Sequence, residues 1–177
     1  MSLSPTVRRV CLLGGESSGK TTLAMALAQA LGTVWVPEYG RERFAVLGPV
    51  FSPADLVETA EQQVQREEAA LTGAQGWLVC DTSPLTTLVY GLVDHGEAAP
   101  ALWTLAQRPY DRVLLCEPDF GFVQDGARRD HDFRARQHAL HAQLLARFGM
   151  RWVAVRGEPA ERLQTALAAL SGPAEPA

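Results

Sequence analysis

Residues 14–21 read Gly-Gly-Glu-Ser-Ser-Gly-Lys-Thr and stand between a short apolar run, Val7 to Leu13, and an Ala- and Leu-rich stretch, Thr21 to Leu31, closed by Gly32. A glycine-rich segment between a strand and a helix confines the chain to a narrow range of folds. The glycines let the backbone curl so that successive N–H groups converge, and the helix behind them adds the partial positive charge of its N-terminus. Such a cradle fits the β- and γ-phosphates of ATP: Lys20 neutralises phosphate, and the Thr21 hydroxyl suits Mg²⁺. The candidate nucleotide-binding residues are Gly14, Gly15, Glu16, Ser17, Ser18, Gly19, Lys20, Thr21 and Thr22. Lys20 is the only lysine of the chain, beside fifteen arginines, so a lysine-rich composition does not account for its place here.

The remaining elements follow from apolar runs and their punctuation. Thr33 to Val36 is β-branched and aromatic and is stopped by Pro37, which makes a second strand. Ser52, Pro53 and Asp55 open a long amphipathic helix to about Leu71. Trp77 to Cys80 is a third strand ending at Asp81, and Thr82, Ser83 and Pro84 turn into a helix over Leu85 to Val93. Val113 to Cys116 is a fourth strand, and Asp119 to Asp132 lacks periodicity and reads as an exposed, mobile segment. A helix over Phe133 to Phe148, a strand over Trp152 to Val155 and a helix over Glu158 to Leu170 complete the pattern. Short unbroken apolar strands alternating with helices predict an α/β three-layer sandwich, a five-stranded parallel sheet with helices on both faces. With the glycine loop the pattern predicts the P-loop NTPase class. A length of 177 residues suits one domain over 1–170, followed by a frayed tail over 171–177.

In open parallel sheets, ligands bind at the carboxyl ends of the strands, and the polar residues of this chain concentrate there. Asp81 ends the third strand as a carboxylate beside the glycine loop, suited to hold Mg²⁺ or to accept a proton from an attacking hydroxyl; capping the next helix is the alternative. After the second strand, Glu38 is suited to substrate hydroxyls, Tyr39 to stacking on a flat ring and Arg41 to an anionic group. The alternative there is a turn with a surface ion pair. Arg128, Arg129 and Arg134 lie in or beside the segment after the fourth strand, where a lid would neutralise a transferring phosphoryl group and exclude water.

Composition narrows the partners. A net charge of −4 argues against a general positive field for nucleic acid or anionic membrane, and no apolar run is long enough to span a bilayer. Cys11, Cys80 and Cys116 lie far apart inside apolar runs and read as buried reduced thiols of a cytoplasmic protein. His138 and His141 are three apart on a helix without a metal-ligand pattern and read as surface or packing histidines. Trp35, Trp77 and Trp152 read as core. The expected partner is a small molecule, with a homo-oligomer left open.

The segments GGESSGKTTL, PEYGRE, DTSPLTT and QDGARRD together resemble the nicotinamide riboside kinase domain of NadR-like NAD-biosynthesis proteins, over about residues 7 to 157. The resemblance implies a nucleoside-kinase-like fold with a lid and ATP-dependent phosphorylation of the ribose 5′-hydroxyl of nicotinamide riboside to nicotinamide mononucleotide. It also implies that Glu38 and Tyr39 line the riboside site, that Asp81 is base or Mg²⁺ partner, and that Arg128 and Arg129 serve the lid. The family's third strand typically ends in an Asp-Thr-Asp-like run, where this chain has Asp81-Thr82-Ser83. Larger members carry a DNA-binding region and an adenylyltransferase domain, for which 177 residues leave no room. A stand-alone regulatory ATPase and a kinase of another nucleoside or small metabolite are the alternatives.

Overall fold

Val10 to Leu13 form the centre of the fold because every one of these side chains is apolar and has a layer to bury against. The structure is a computed structural model and describes residues 6–119, 121 and 130–172. Its strands are β1 (Arg8–Leu13), β2 (Trp35–Val36), β3 (Trp77–Asp81), β4 (Arg112–Cys116) and β5 (Val153–Val155). Its helices are α1 (Lys20–Leu31), α2 (Tyr39–Leu47), α3 (Pro53–Ala70), α4 (Pro84–His95), α5 (Pro100–Leu105), α6 (His131–Arg147) and α7 (Pro159–Ser171). The strands pair in parallel in the order β2-β3-β1-β4-β5.

Strand alternation divides the core in two. Val10 and Leu12 pack with Leu23 and Leu27 of α1 and with Ala166 and Leu170 of α7. Cys11 and Leu13 point the other way, to Leu56 of α3, Leu85 and Leu88 of α4, Leu102 of α5 and Leu145 of α6. The five-stranded sheet with helices on both faces is therefore present. The three thiols are free and buried, with Cys11 and Cys80 side by side in register. Among the described residues no helix is long and apolar enough to cross a membrane.

The long helix α3 starts where its signals place it. The Ser52 hydroxyl accepts from Asp55 N at 3.2 Å and the Asp55 carboxylate accepts from Ser52 N at 2.9 Å, a reciprocal cap with Pro53 at the first helical position. The second strand is shorter than expected, although Thr33 still ties to the sheet edge through Trp77 O at 2.6 Å. Trp77 is buried and Trp35 half-buried, but Trp152 is 37% exposed; it sits just before the edge strand β5, and its place in the core is corrected. Helix α7 runs to Ser171, and residues 173–177 of the expected tail lie outside the described residues.

Helix α2 is the main departure, since residues 38–42 read as a polar turn. It has no buried residue and no apolar stripe. Charge holds it instead: Arg43 reaches Asp55 at 3.3 Å and Glu58 at 2.8 Å, and Arg66 of α3 grips Glu42 at 2.5 Å while lying 4.4 Å over the Tyr39 ring. Hydrophobic periodicity carries no trace of such a helix.

Because Leu12 is fully buried in the central strand, Leu12→Ala should lower unfolding stability by about 2–5 kcal/mol. Urea denaturation measures it, and a loss below about 1 kcal/mol would mean that the site collapses around the smaller side chain.

Candidate functional site

Two glycines of the loop are required by close approach. At Gly14, with φ of 142°, a Cβ would meet the carbonyl oxygen of Cys116 at 2.6 Å; at Gly15 it would meet that of Arg134 at 2.5 Å. The loop is thus pressed between the end of β4 and the first turn of α6. Ser17 and Gly19 also take positive φ, 54° and 78°, which completes the curl into α1. Lys20 Nζ lies across the loop, donating to Gly14 O and Gly15 O at 3.0 Å each.

Buried arginines brace the loop from behind. Arg162 donates to Ser18 O at 2.9 Å, to Gly157 O at 2.7 Å and to Glu117 O at 2.8 Å, and pairs with Asp119. Arg134, expected at the lid, is instead buried, with Nη1 3.5 Å from Ser17 O. Both guanidinium groups thus face backbone carbonyls of the loop. Arg128 and Arg129 lie outside the described residues.

Asp81 is 1% exposed at the end of β3, in register with Leu12 of β1, so its carboxylate lies beside the start of α1. Oδ2 accepts from the Thr21 hydroxyl at 2.6 Å, while Oδ1 is buried with no hydrogen-bond partner. The capping role belongs to Ser83, whose hydroxyl accepts from Leu85 N at 3.2 Å. Burial pushes the Asp81 carboxyl above its ordinary value; the Lys20 charge and the Thr21 hydrogen bond oppose the shift.

Two hollows meet over this floor. The smaller, about 60 Å³, is lined by Ser17 to Thr22 with Glu38 and Arg41. The larger, about 200 Å³, is walled by side chains of α2, α3, α4 and α6, among them Phe44, Tyr90, Thr86, Asp94 and Gln137, and by Phe51 between α2 and α3. Lys20, Glu38 and Arg41 line both. Glu38 caps α2 at the end of β2, 3.6 Å from Arg41. Burial pushes its carboxyl up, Lys20 opposes the shift and the Asp81 charge adds to it.

The structure therefore brings Glu38, Arg41 and Lys20 together above Asp81 and Thr21. Tyr39 is not among the residues lining either hollow; its ring is under the Arg66 guanidinium, so its expected place as the stacking residue is not where the structure puts it. Aromatic surface comes instead from Phe44, Phe51 and Tyr90, which sequence reasoning missed. Tyr90 donates to Glu16 at 2.9 Å, and burial, with the charges of Glu38 and Glu16, pushes its phenol up so that it stays protonated. Thr86, Tyr90 and Asp94 recur every four residues along the largely apolar α4, and that polar stripe is the signal that could have found Tyr90.

An acid whose folded pKa is raised loses stability when it ionises, so Asp81 costs stability at neutral pH. Asp81→Asn should have a Tm at least as high as the parent near pH 7. That difference should vanish below about pH 3, where the carboxyl is protonated in the folded and unfolded chains alike. Calorimetric melts across pH test this, and a clearly lower Tm at pH 7 would contradict it.

Comparison with known proteins agrees with this geometry. The family described as AAA domain matches residues 9–162. The trifunctional NAD biosynthesis/regulator protein NadR of Escherichia coli (strain K12) is 34% identical over 127 residues, covering 69% of this chain and 31% of the relative. The chain thus spans about a third of the length of the curated relatives it matches. A crystal structure of a NadR protein in complex with NR superposes with a TM-score of 0.78 at 24% identity, covering 93% of this chain and 51% of the other. Thymidylate kinase from Ehrlichia chaffeensis gives a TM-score of 0.68 at 14% identity, covering 94% of this chain and 100% of the other. These structural likenesses concern the fold, which is that of nucleoside and nucleotide kinases. By the match over residues 9–162, the chain belongs to the AAA-domain family, and it is similar to NadR.

Proposed function

We propose that the protein transfers the γ-phosphoryl group of ATP to the ribose 5′-hydroxyl of nicotinamide riboside, in the cytoplasm, yielding nicotinamide mononucleotide. The observation that carries this reading is that Lys20, Glu38 and Arg41 line both hollows. A phosphoryl donor seated on the glycine loop and an acceptor in the larger cavity would meet over these three side chains. A bare ATPase has no use for a second, aromatic-walled cavity at that place.

The donor set also fits Mg²⁺. Asp81 Oδ1 is a buried oxygen without a partner beside the Thr21 hydroxyl, and Mg²⁺ commonly takes one or two protein oxygens together with phosphate and water. Asp81 and Thr21 would hold the ion, which when bound neutralises charge on the phosphates. The chain's own groups do the rest. Loop N–H groups and Lys20 hold the phosphates, and Arg41 offsets charge on the group in transit. The acceptor oxygen attacks phosphorus in line, the bond to the β–γ bridging oxygen breaks, and the acceptor proton passes to the Glu38 carboxylate. Its raised pKa makes Glu38 a better base than an ordinary carboxylate.

Nicotinamide riboside carries a cationic ring, and the cavity offers the carboxylates Glu16, Glu38 and Asp94 with the rings of Phe44, Phe51 and Tyr90. The similarity to NadR, one structure of which is described as a complex with NR, supports the same choice. Neutral nucleosides would gain the ring contacts without the charge term.

Steady-state assays with ATP should therefore show higher kcat/KM for nicotinamide riboside than for uridine or cytidine. Glu38→Gln should lower kcat by about 10²-fold or more, whereas Tyr39→Phe changes little. In the parent, kcat/KM should fall on acidification with an apparent pKa above the ordinary carboxylate range, a limb that Glu38→Gln removes. Lys20→Ala should abolish most activity. Equal efficiency on uridine and cytidine would sink the riboside assignment, and slow ATP hydrolysis indifferent to any nucleoside would leave a regulatory ATPase.

A further inference from the structure

His141 lies on α6, is wholly buried and lies outside the cavity lining, yet it touches Thr86, which is part of that lining. Its Nδ1 is 2.7 Å from Gln137 O, and its Nε2 is 3.0 Å from the hydroxyl of Thr86. A backbone carbonyl only accepts, so Nδ1 carries the proton and donates. Burial, with the Lys20 charge adding, pushes the imidazole down to about 3, so the ring is neutral and Nε2 is left as an acceptor. The Thr86 hydroxyl must then give its single proton to Nε2, and its oxygen has only lone pairs to offer elsewhere. Thr86 is itself a lining residue of the larger cavity, in the first turns of α4.

We infer that His141 is a positioning residue that fixes Thr86 as a hydrogen-bond acceptor toward the substrate, so that the cavity selects ligands presenting an N–H or O–H donor at that point. This rests on the proposed reading of the cavity as the acceptor-substrate site. The carbonyl of Gln137 orients the ring, the ring orients the hydroxyl, and the hydroxyl selects the ligand. A ligand with only a carboxylate or a bare carbon there would leave the Thr86 oxygen facing another acceptor or nothing. A site built to bond a donor penalises the analogue that lacks it, because its own polar group is left unpaired.

Within the proposed substrate two sources of such a donor exist, the ring carboxamide and the ribose 2′- or 3′-hydroxyl. Calorimetric titration would compare nicotinamide riboside with its ring-carboxylate counterpart and with its 2′-deoxy and 3′-deoxy forms, on the parent, Thr86→Val and Thr86→Ser. The analogue lacking the donor that meets Thr86 should bind the parent about tenfold or more weakly than nicotinamide riboside does. That gap should close in Thr86→Val, which keeps the shape and loses the acceptor, and persist in Thr86→Ser. Nitrogen-15 NMR of the ligand-free parent should show the His141 ring protonated at Nδ1 and bare at Nε2 from pH 5 to 8 on the order of its ordinary titration range. A gap of equal size in the parent and in Thr86→Val for all three analogues, or a ring protonated at Nε2, would overturn the inference. Selective binding without phosphoryl transfer would fail the kinase reading and leave this inference standing.

Discussion

The 2.6 Å hydrogen bond between Thr21 and Asp81 is the contact on which the site depends. It forms because β1 and β3 pair in parallel with Leu12 opposite Asp81, so the end of one strand delivers a carboxylate to the helix that follows the other. The sheet buries that carboxylate at a cost, seen in its raised pKa, and only one of its oxygens is satisfied by the protein. Stability alone would not select such a group; under the proposed reading it would hold a cation.

From that floor the cavity follows. Glu38 and Arg41 reach it because α2 begins directly after β2, and α2 is held in place by ion pairs with α3. Tyr90 binds Glu16 of the loop and Gln137 Oε1 accepts from Glu16 N at 2.9 Å, so the loop is fastened to both α4 and α6. The phosphate cradle and the larger cavity thus share their walls as well as their lining. The links between the two sides are part-buried hydrogen bonds of ordinary length.

What was legible in the sequence is what local chemistry dictates. The glycine loop, the α3 cap and the apolar strands are each specified by neighbours along the chain, and each stands where expected. The place of Asp81 was legible because the apolar run Trp77 to Cys80 ends at it. The contact of Tyr39 with Arg66 was not legible, because Arg66 is 27 positions away in sequence and reaches the ring face from α3. Helix α2 was missed because charge pairs, which leave no periodic trace, hold it. The cavity walls come from four helices, and only the polar stripe on α4 hinted at them. The acceptor role of Thr86 depends on a buried ring on another helix and is invisible without coordinates.

The central claim is that the two hollows hold the two reactants of one transfer. Phosphorus-31 NMR of a reaction containing the protein, ATP, Mg²⁺ and nicotinamide riboside tests it most directly, since it identifies the product and its position. The account predicts ADP and a 5′-phosphomonoester of the riboside appearing in equal amounts. Inorganic phosphate as the only new species beside ADP, at a rate unchanged by the riboside, would contradict it.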